Sequence, residues 1–164
     1  GVNINNISLC GDSAGAHLAA SVTHTIANEN RQNVHSQFLI YPMCDPHCKS
    51  NSIELFKEGY LLTKKAMEWF WDKFRNSLAD NDVNTFNLLL LEPEKKIPKT
   101  IIVTAGFDPL LDEAEKYAFL LHKNGTYVKQ LHYPSLFHGF ANMTRLKSAK
   151  KAVDDFLSEY KEIL

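Results

Sequence analysis

Three side chains in this sequence could together make a hydroxyl attack an acyl carbon. Ser13 stands in Gly11-Asp12-Ser13-Ala14-Gly15, Asp108 in "TAGFDPLLDE" and His138 in "YPSLFHGF". An alcohol is a poor nucleophile, so it needs a base, and the base needs a carboxylate to orient it and stabilise its charged form. The pattern around Ser13 is short enough to arise by chance, and its setting carries the weight. An apolar run precedes it and a small-residue, helix-forming run follows. A serine on such a strand-to-helix turn is held in a strained conformation with its Oγ exposed. The flanking Gly11 and Gly15 would let neighbouring chain approach without a Cβ clash. The N–H of Ala14, at the start of the helix, would face the position where an oxyanion forms.

Other titratable groups compete for these roles. Asp112 and Glu113 lie in the first turn of an expected helix, where acids favour the helix dipole. Asp112 could also support His138. Asp12 adjoins the serine with its side chain directed away, and could tie this turn to neighbouring loops. His132 falls inside an expected strand, His122 on a helix and His17 one turn after Ser13. His138 combines a loop position, a following Gly139 and a place after the other two groups in the chain.

The elements that must position these residues read as alternating strands and helices. Short apolar or β-branched runs at Ile4–Leu9, Gln37–Tyr41, Thr100–Thr104 and Val128–His132 predict four buried strands. Helices are expected at Ala14–Ile26 and over "LTKKAMEWFWDKFRNSL", where Met67, Phe70, Trp71, Phe74 and Leu78 form one stripe. Asp108-Pro109 reads as an N-cap with proline at the first helical position. Leu111, Ala114, Ala118 and Leu121 would line that helix, and Gly125 would close it. A last helix from about Arg145 would bury Leu146, Ala149, Val153, Phe156, Leu157, Tyr160 and Leu164. Such alternation predicts an α/β fold with a parallel sheet flanked by helices, as one domain over residues 1–164. The carboxyl ends of its strands are where Ser13, Asp108 and His138 would meet.

Composition narrows the function classes. The 164 residues are 45% hydrophobic and carry 18 Lys+Arg against 19 Asp+Glu, without a block of like charge. Neither nucleic acid nor an acidic membrane surface is an expected partner. No apolar run reaches the length of a bilayer span. Cys44, His47 and Cys48 lack further ligands at a zinc-binding spacing, so no metal is expected, and Cys10, Cys44 and Cys48 read as free thiols. Phe56, Trp69, Trp71, Leu136 and Phe140 are candidates for either a pocket or core.

Together "GDSAGAHLAA", "TAGFDPLLDEAEKYAFLLHKNG" and "YPSLFHGF" resemble the hormone-sensitive-lipase-like family of α/β-hydrolases, as does the helix "EWFWDKF". The resemblance covers nearly the whole chain. It implies a cofactor-free carboxylesterase acting on small acyl esters, with Ser13 as nucleophile, His138 as base, Asp108 as its orienting carboxylate and Ala14 as an oxyanion donor. A peptidase of related fold and a non-catalytic ligand receptor are the alternatives. That family also carries an H-G-G-G-type oxyanion loop before the serine, which this sequence lacks. The chain is therefore expected to be the C-terminal half of an α/β-hydrolase fold, weakly active alone. Its first strand would form an exposed sheet edge open to pairing or homo-oligomerisation.

Overall fold

The computed structural model describes residues 7–29, 34–75, 86–91 and 97–163. Four parallel strands form one sheet: β1 (Ile7–Asp12), β2 (Val34–Ile40), β3 (Lys99–Phe107) and β4 (Val128–Phe137), in the spatial order β1-β2-β3-β4. Among the described residues five helices accompany them: α1 (Ala14–Asn28), α2 (Asn51–Leu55), α3 (Lys64–Arg75), α4 (Leu111–Lys123) and α5 (Lys147–Lys161). A 3-10 turn, Phe140–Asn142, follows β4. The expected residues Ile4–Asn6, Leu78 and Leu164 lie outside the described residues.

Alternation along the central strands sends side chains to two different cores. Leu39 and Ile102 face α1 and α4, packing with Ala16, Ala20, Tyr117 and Leu121. Phe38, Ile40, Ile101 and Val103 face the other way, against Ala149, Ala152 and Phe156 of α5. A third apolar cluster covers the carboxyl ends of the strands, where Met43, Ile53, Met67, Trp71 and Leu110 meet. The long connection between β2 and β3 thus builds a layer over the end of the sheet.

Two helix readings need correction. In α5 the inner face is Ala149, Ala152 and Phe156, with Val153 and Tyr160 packed beside them as expected, whereas Leu146 precedes the helix and Leu157 faces solvent. The small alanines let the helix lie close to Phe38 and the sheet. In α3, Met67 and Trp71 are buried, while Trp69 and Phe70 are about half exposed.

Candidate active site

Between the last residue of β1 and the first of α1 there is a single residue, Ser13, with φ 53° and ψ −118°. A non-glycine residue held this way costs on the order of 1–3 kcal/mol, and its surroundings must over-determine it. They do so through the main chain. The Ser13 N–H donates to the Ile40 carbonyl at the end of β2 (2.9 Å), and its own carbonyl accepts from the N–H groups of His17 (3.1 Å) and Met43 (3.4 Å). A Cβ at Gly11 would lie 2.3 Å from the carbonyl carbon and oxygen of Gly15, so only glycine lets strand and helix meet this closely. Gly15 itself is different. A Cβ there would meet nothing within 4 Å among the described residues, so close approach requires the glycine at 11 and not the one at 15.

His138 follows β4 directly and Asp108 follows β3 directly. Both are buried, and their side chains meet the serine in one hydrogen-bonded line. His138 Nε2 lies 2.9 Å from Ser13 Oγ, and His138 Nδ1 lies 2.8 Å from Asp108 Oδ2. With the carboxylate ionised, Nδ1 carries the proton and donates it to Oδ2, which leaves the Nε2 lone pair to accept from the Ser13 hydroxyl. The other oxygen of Asp108 accepts the Leu110 N–H at 2.8 Å. That bond corrects the N-cap expectation: α4 starts at Leu111, and the Asp108 carboxylate is divided between a turn and the imidazole. Gly139 has φ 81°, which turns the chain away after His138 into the 3-10 turn. Ala14 is the first residue of α1, where a main-chain N–H has no intrahelical acceptor.

The neighbouring acids separate cleanly. Asp12 Oδ2 accepts from Asn142 Nδ2 (3.1 Å) and from the Tyr41 hydroxyl (3.4 Å), tying β1 to the loop after His138. Asp112 takes no part in orienting His138. Its Oδ2 accepts the Ser52 N–H at 2.8 Å, and the Ser52 hydroxyl is bonded at both Pro109 O and Asp112 N, so this acid docks α2 onto α4. Glu113 is buried, and its Oε1 accepts the N–H groups of Cys44 (2.7 Å) and Asp45 (3.3 Å). Burial pushes its carboxyl up to about 8.

Two of the competing histidines have structural partners, and His122 is exposed on α4. His17 donates from Nδ1 to the Met43 carbonyl (3.0 Å), and burial lowers it to about 4. His132 pairs with Thr104 Oγ1 at 2.9 Å. His17 also helps line an apolar groove of about 380 Å³ that opens beside Ala14 toward Leu18, Met43, Phe70 and Trp71. Of the aromatic and leucine candidates, Trp71, Leu136 and Phe140 are core and Trp69 is exposed. Phe56 stacks edge-on with Tyr60 and Phe107.

Two residues near the site carry no motif that sequence reading could use. Glu113 looks like an ordinary first-turn acid until the loop at Cys44 is seen above it. Tyr41 looks like the last residue of a strand, yet its ring lies 4.5 Å from that of His138.

Comparison with known proteins places the fold. The family described as alpha/beta hydrolase fold matches residues 1–142. Carboxylic ester hydrolase LipN of Mycobacterium tuberculosis is 36% identical over 154 residues, 89% of this chain and 40% of that protein. Ethyl acetate hydrolase of Pseudomonas putida is 28% identical over 144 residues, 87% of this chain and 45% of that protein. The crystal structure of LAE6, an alpha/beta hydrolase enzyme from the metagenome of Lake Arreo, Spain, superposes with a TM-score of 0.81 at 34% identity. It covers 90% of this chain and 47% of that one. The chain spans a little under half the length of these relatives. The chain belongs to the α/β-hydrolase fold family, in its hormone-sensitive-lipase-like branch, and carries part of that fold.

Proposed function

We propose that the protein to which this chain belongs is a serine carboxylesterase acting on small acyl esters, with Ser13, His138 and Asp108 as its reacting group. The observation that carries this reading is the continuous line from Ser13 Oγ through the imidazole to the Asp108 carboxylate. Such a line moves a proton. Ser13 Oγ attacks the acyl carbon as His138 Nε2 takes its proton, and Asp108 stabilises the imidazolium that results. The oxyanion develops where the Ala14 N–H can donate to it. His138 then returns the proton to the departing alcohol, and an acyl-enzyme remains on Ser13. Water attacks that ester with His138 again as base, which frees the acid and restores the serine. An acyl group oriented by the Ala14 N–H would extend into the apolar groove beside it.

The relatives' names support ester hydrolysis as the reaction class, and the intact histidine supports catalysis over passive ligand binding. Among the described residues, the donor placed for the oxyanion is the Ala14 N–H at the start of α1. Losing a single donor costs on the order of 10²–10³ in rate. The 164 residues by themselves should therefore turn over esters far more slowly than a full-length relative.

Intact-mass analysis after treatment with a fluorophosphonate tests the reading. One adduct is expected on the wild-type chain and none on Ser13→Ala. An adduct that persists in Ser13→Ala would overturn it, as would the absence of an adduct on a longer protein that includes these residues. A panel of short-chain p-nitrophenyl esters and peptide anilides then separates esterase from peptidase.

A further inference from the structure

Tyr41 is buried and strained, and it touches the imidazole. It is the residue directly after β2, only 1% exposed, and it holds φ 39°, a region that tyrosine enters at a cost. Its N–H donates to the Val103 carbonyl at 2.7 Å, so the strained backbone is clamped to β3. The result of that strain is a side chain directed at the carboxyl end of the sheet. Its ring centroid lies 4.5 Å from that of His138 with the planes tilted by 56°, and 5.6 Å from Phe140 in an edge contact. The hydroxyl reaches further, donating to Asp12 Oδ2 at 3.4 Å and facing the Ala141 N–H. The same Asp12 oxygen accepts from Asn142 Nδ2.

We infer that Tyr41 is a positioning residue for His138. Its ring fixes the plane of the imidazole, and its hydroxyl, through Asp12 and Ala141, fixes the loop that carries the imidazole. The inference rests on the reading of His138 as the general base. The imidazole's hydrogen bonds among the described residues run from its two nitrogens, to Asp108 and Ser13, and restrain its edge rather than its plane. An aromatic ring against one face restrains that plane. The hydroxyl adds a link from the serine's own strand to residues 141 and 142. A displacement of the base relative to the nucleophile by about 1 Å can cost on the order of 10²-fold in rate.

The test uses ¹⁵N-histidine-labelled protein and two readouts. The first is the downfield Nδ1–H proton resonance of His138, identified by its loss in His138→Gln. The second is the second-order rate of fluorophosphonate labelling at Ser13. Tyr41→Phe keeps the ring and removes the hydroxyl. It should retain the resonance with faster solvent exchange and label about five-fold more slowly, the worth of roughly one hydrogen bond. Tyr41→Leu should broaden or lose the resonance and label on the order of 10²-fold more slowly. If both variants keep the wild-type resonance and exchange rate, the positioning role is overturned, whether or not the serine labels. If Tyr41→Leu fails to fold, Tyr41→Phe decides by the exchange rate alone. A wild-type protein that shows the resonance but does not label would instead count against the esterase reading and leave the positioning result standing.

Discussion

His138 and His24 make nearly the same bond in two regions of the molecule. Each is buried, and each presents Nε2 to a hydroxyl at 2.9 Å, His138 to Ser13 and His24 to Tyr117. They differ at the other nitrogen. His138 Nδ1 finds the Asp108 carboxylate, whereas His24 Nδ1 has no partner among the described residues. An imidazole against a hydroxyl is therefore only a hydrogen bond. It becomes a proton-transfer device when a carboxylate behind it can balance the charge that the transfer creates. Among the described residues, nothing is bonded behind His24 to do that. Burial lowers it to about 4 and keeps it neutral, while burial also raises the Tyr117 phenol.

The sharpest way to break the comparison is to remove that carboxylate's charge. Asp108→Asn should cut fluorophosphonate labelling of Ser13 on the order of 10⁴-fold, with the imidazole left in the wrong tautomer. A smaller loss would mean that the hydroxyl contact alone activates the serine, and His24 and His138 would then be alike. Next comes the strain that presents Ser13. Gly11→Ala drives a Cβ into the main chain of Gly15 and should destabilise the fold by about 1–3 kcal/mol or more, measured by urea unfolding. Gly15→Ala, in open space, should cost nothing and favour the helix by about 0.5–1 kcal/mol.

The buried titrating groups give a pH signature that sets the two regions apart. His17 and His24, held near 4 in the fold and about 6.5 when unfolded, take up protons on unfolding between those values. Stability should fall as pH drops from 6.5 to 4, by at most about 1.4 kcal/mol per pH unit for each proton. Glu113, raised to about 8, works in the opposite sense. The folded form keeps a proton that the unfolded chain has lost, so stability should fall as pH rises from 4.5 to 8. Glu113→Gln keeps an oxygen for the Cys44 and Asp45 N–H groups, and its denaturation midpoint should stay flat between pH 6.5 and 8. Tyr117→Phe should cost about 1–2 kcal/mol of stability through lost hydrogen bonding and leave Ser13 labelling unchanged.

Much of this architecture is legible in the residue order. Short apolar runs between turn residues mark the four strands, but of the four expected to be buried only β2 and β3 are, while β1 and β4 at the two ends of the strand order are largely half-buried or exposed. β4 extends five residues beyond its apolar run, ending at the residue before His138. Ser13, Asp108 and His138 can be found because each sits just past a strand, where this topology collects them. What the sequence hides is whatever depends on a long-range neighbour. Asp112 and Glu113 are adjacent acids with the same helical position. One caps α2 from across a gap of 60 residues, and the other holds a loop 69 residues away. Leu157 fits an apolar stripe that the close packing of Ala149 and Ala152 makes unnecessary. Tyr41 escapes notice because a positive φ on an aromatic residue has no sequence signal.

The spatial order of the strands is also their order of synthesis, β1-β2-β3-β4. Each strand can therefore dock on its predecessor as it leaves the ribosome, without holding a gap open for later chain. Reactivity follows a different clock. Ser13 and His138 are 125 residues apart. At roughly 5–20 residues per second, the imidazole emerges on the order of ten seconds after the serine. Throughout that interval the nascent chain carries an inert hydroxyl, and the unit that begins with β4 is the one that arms it.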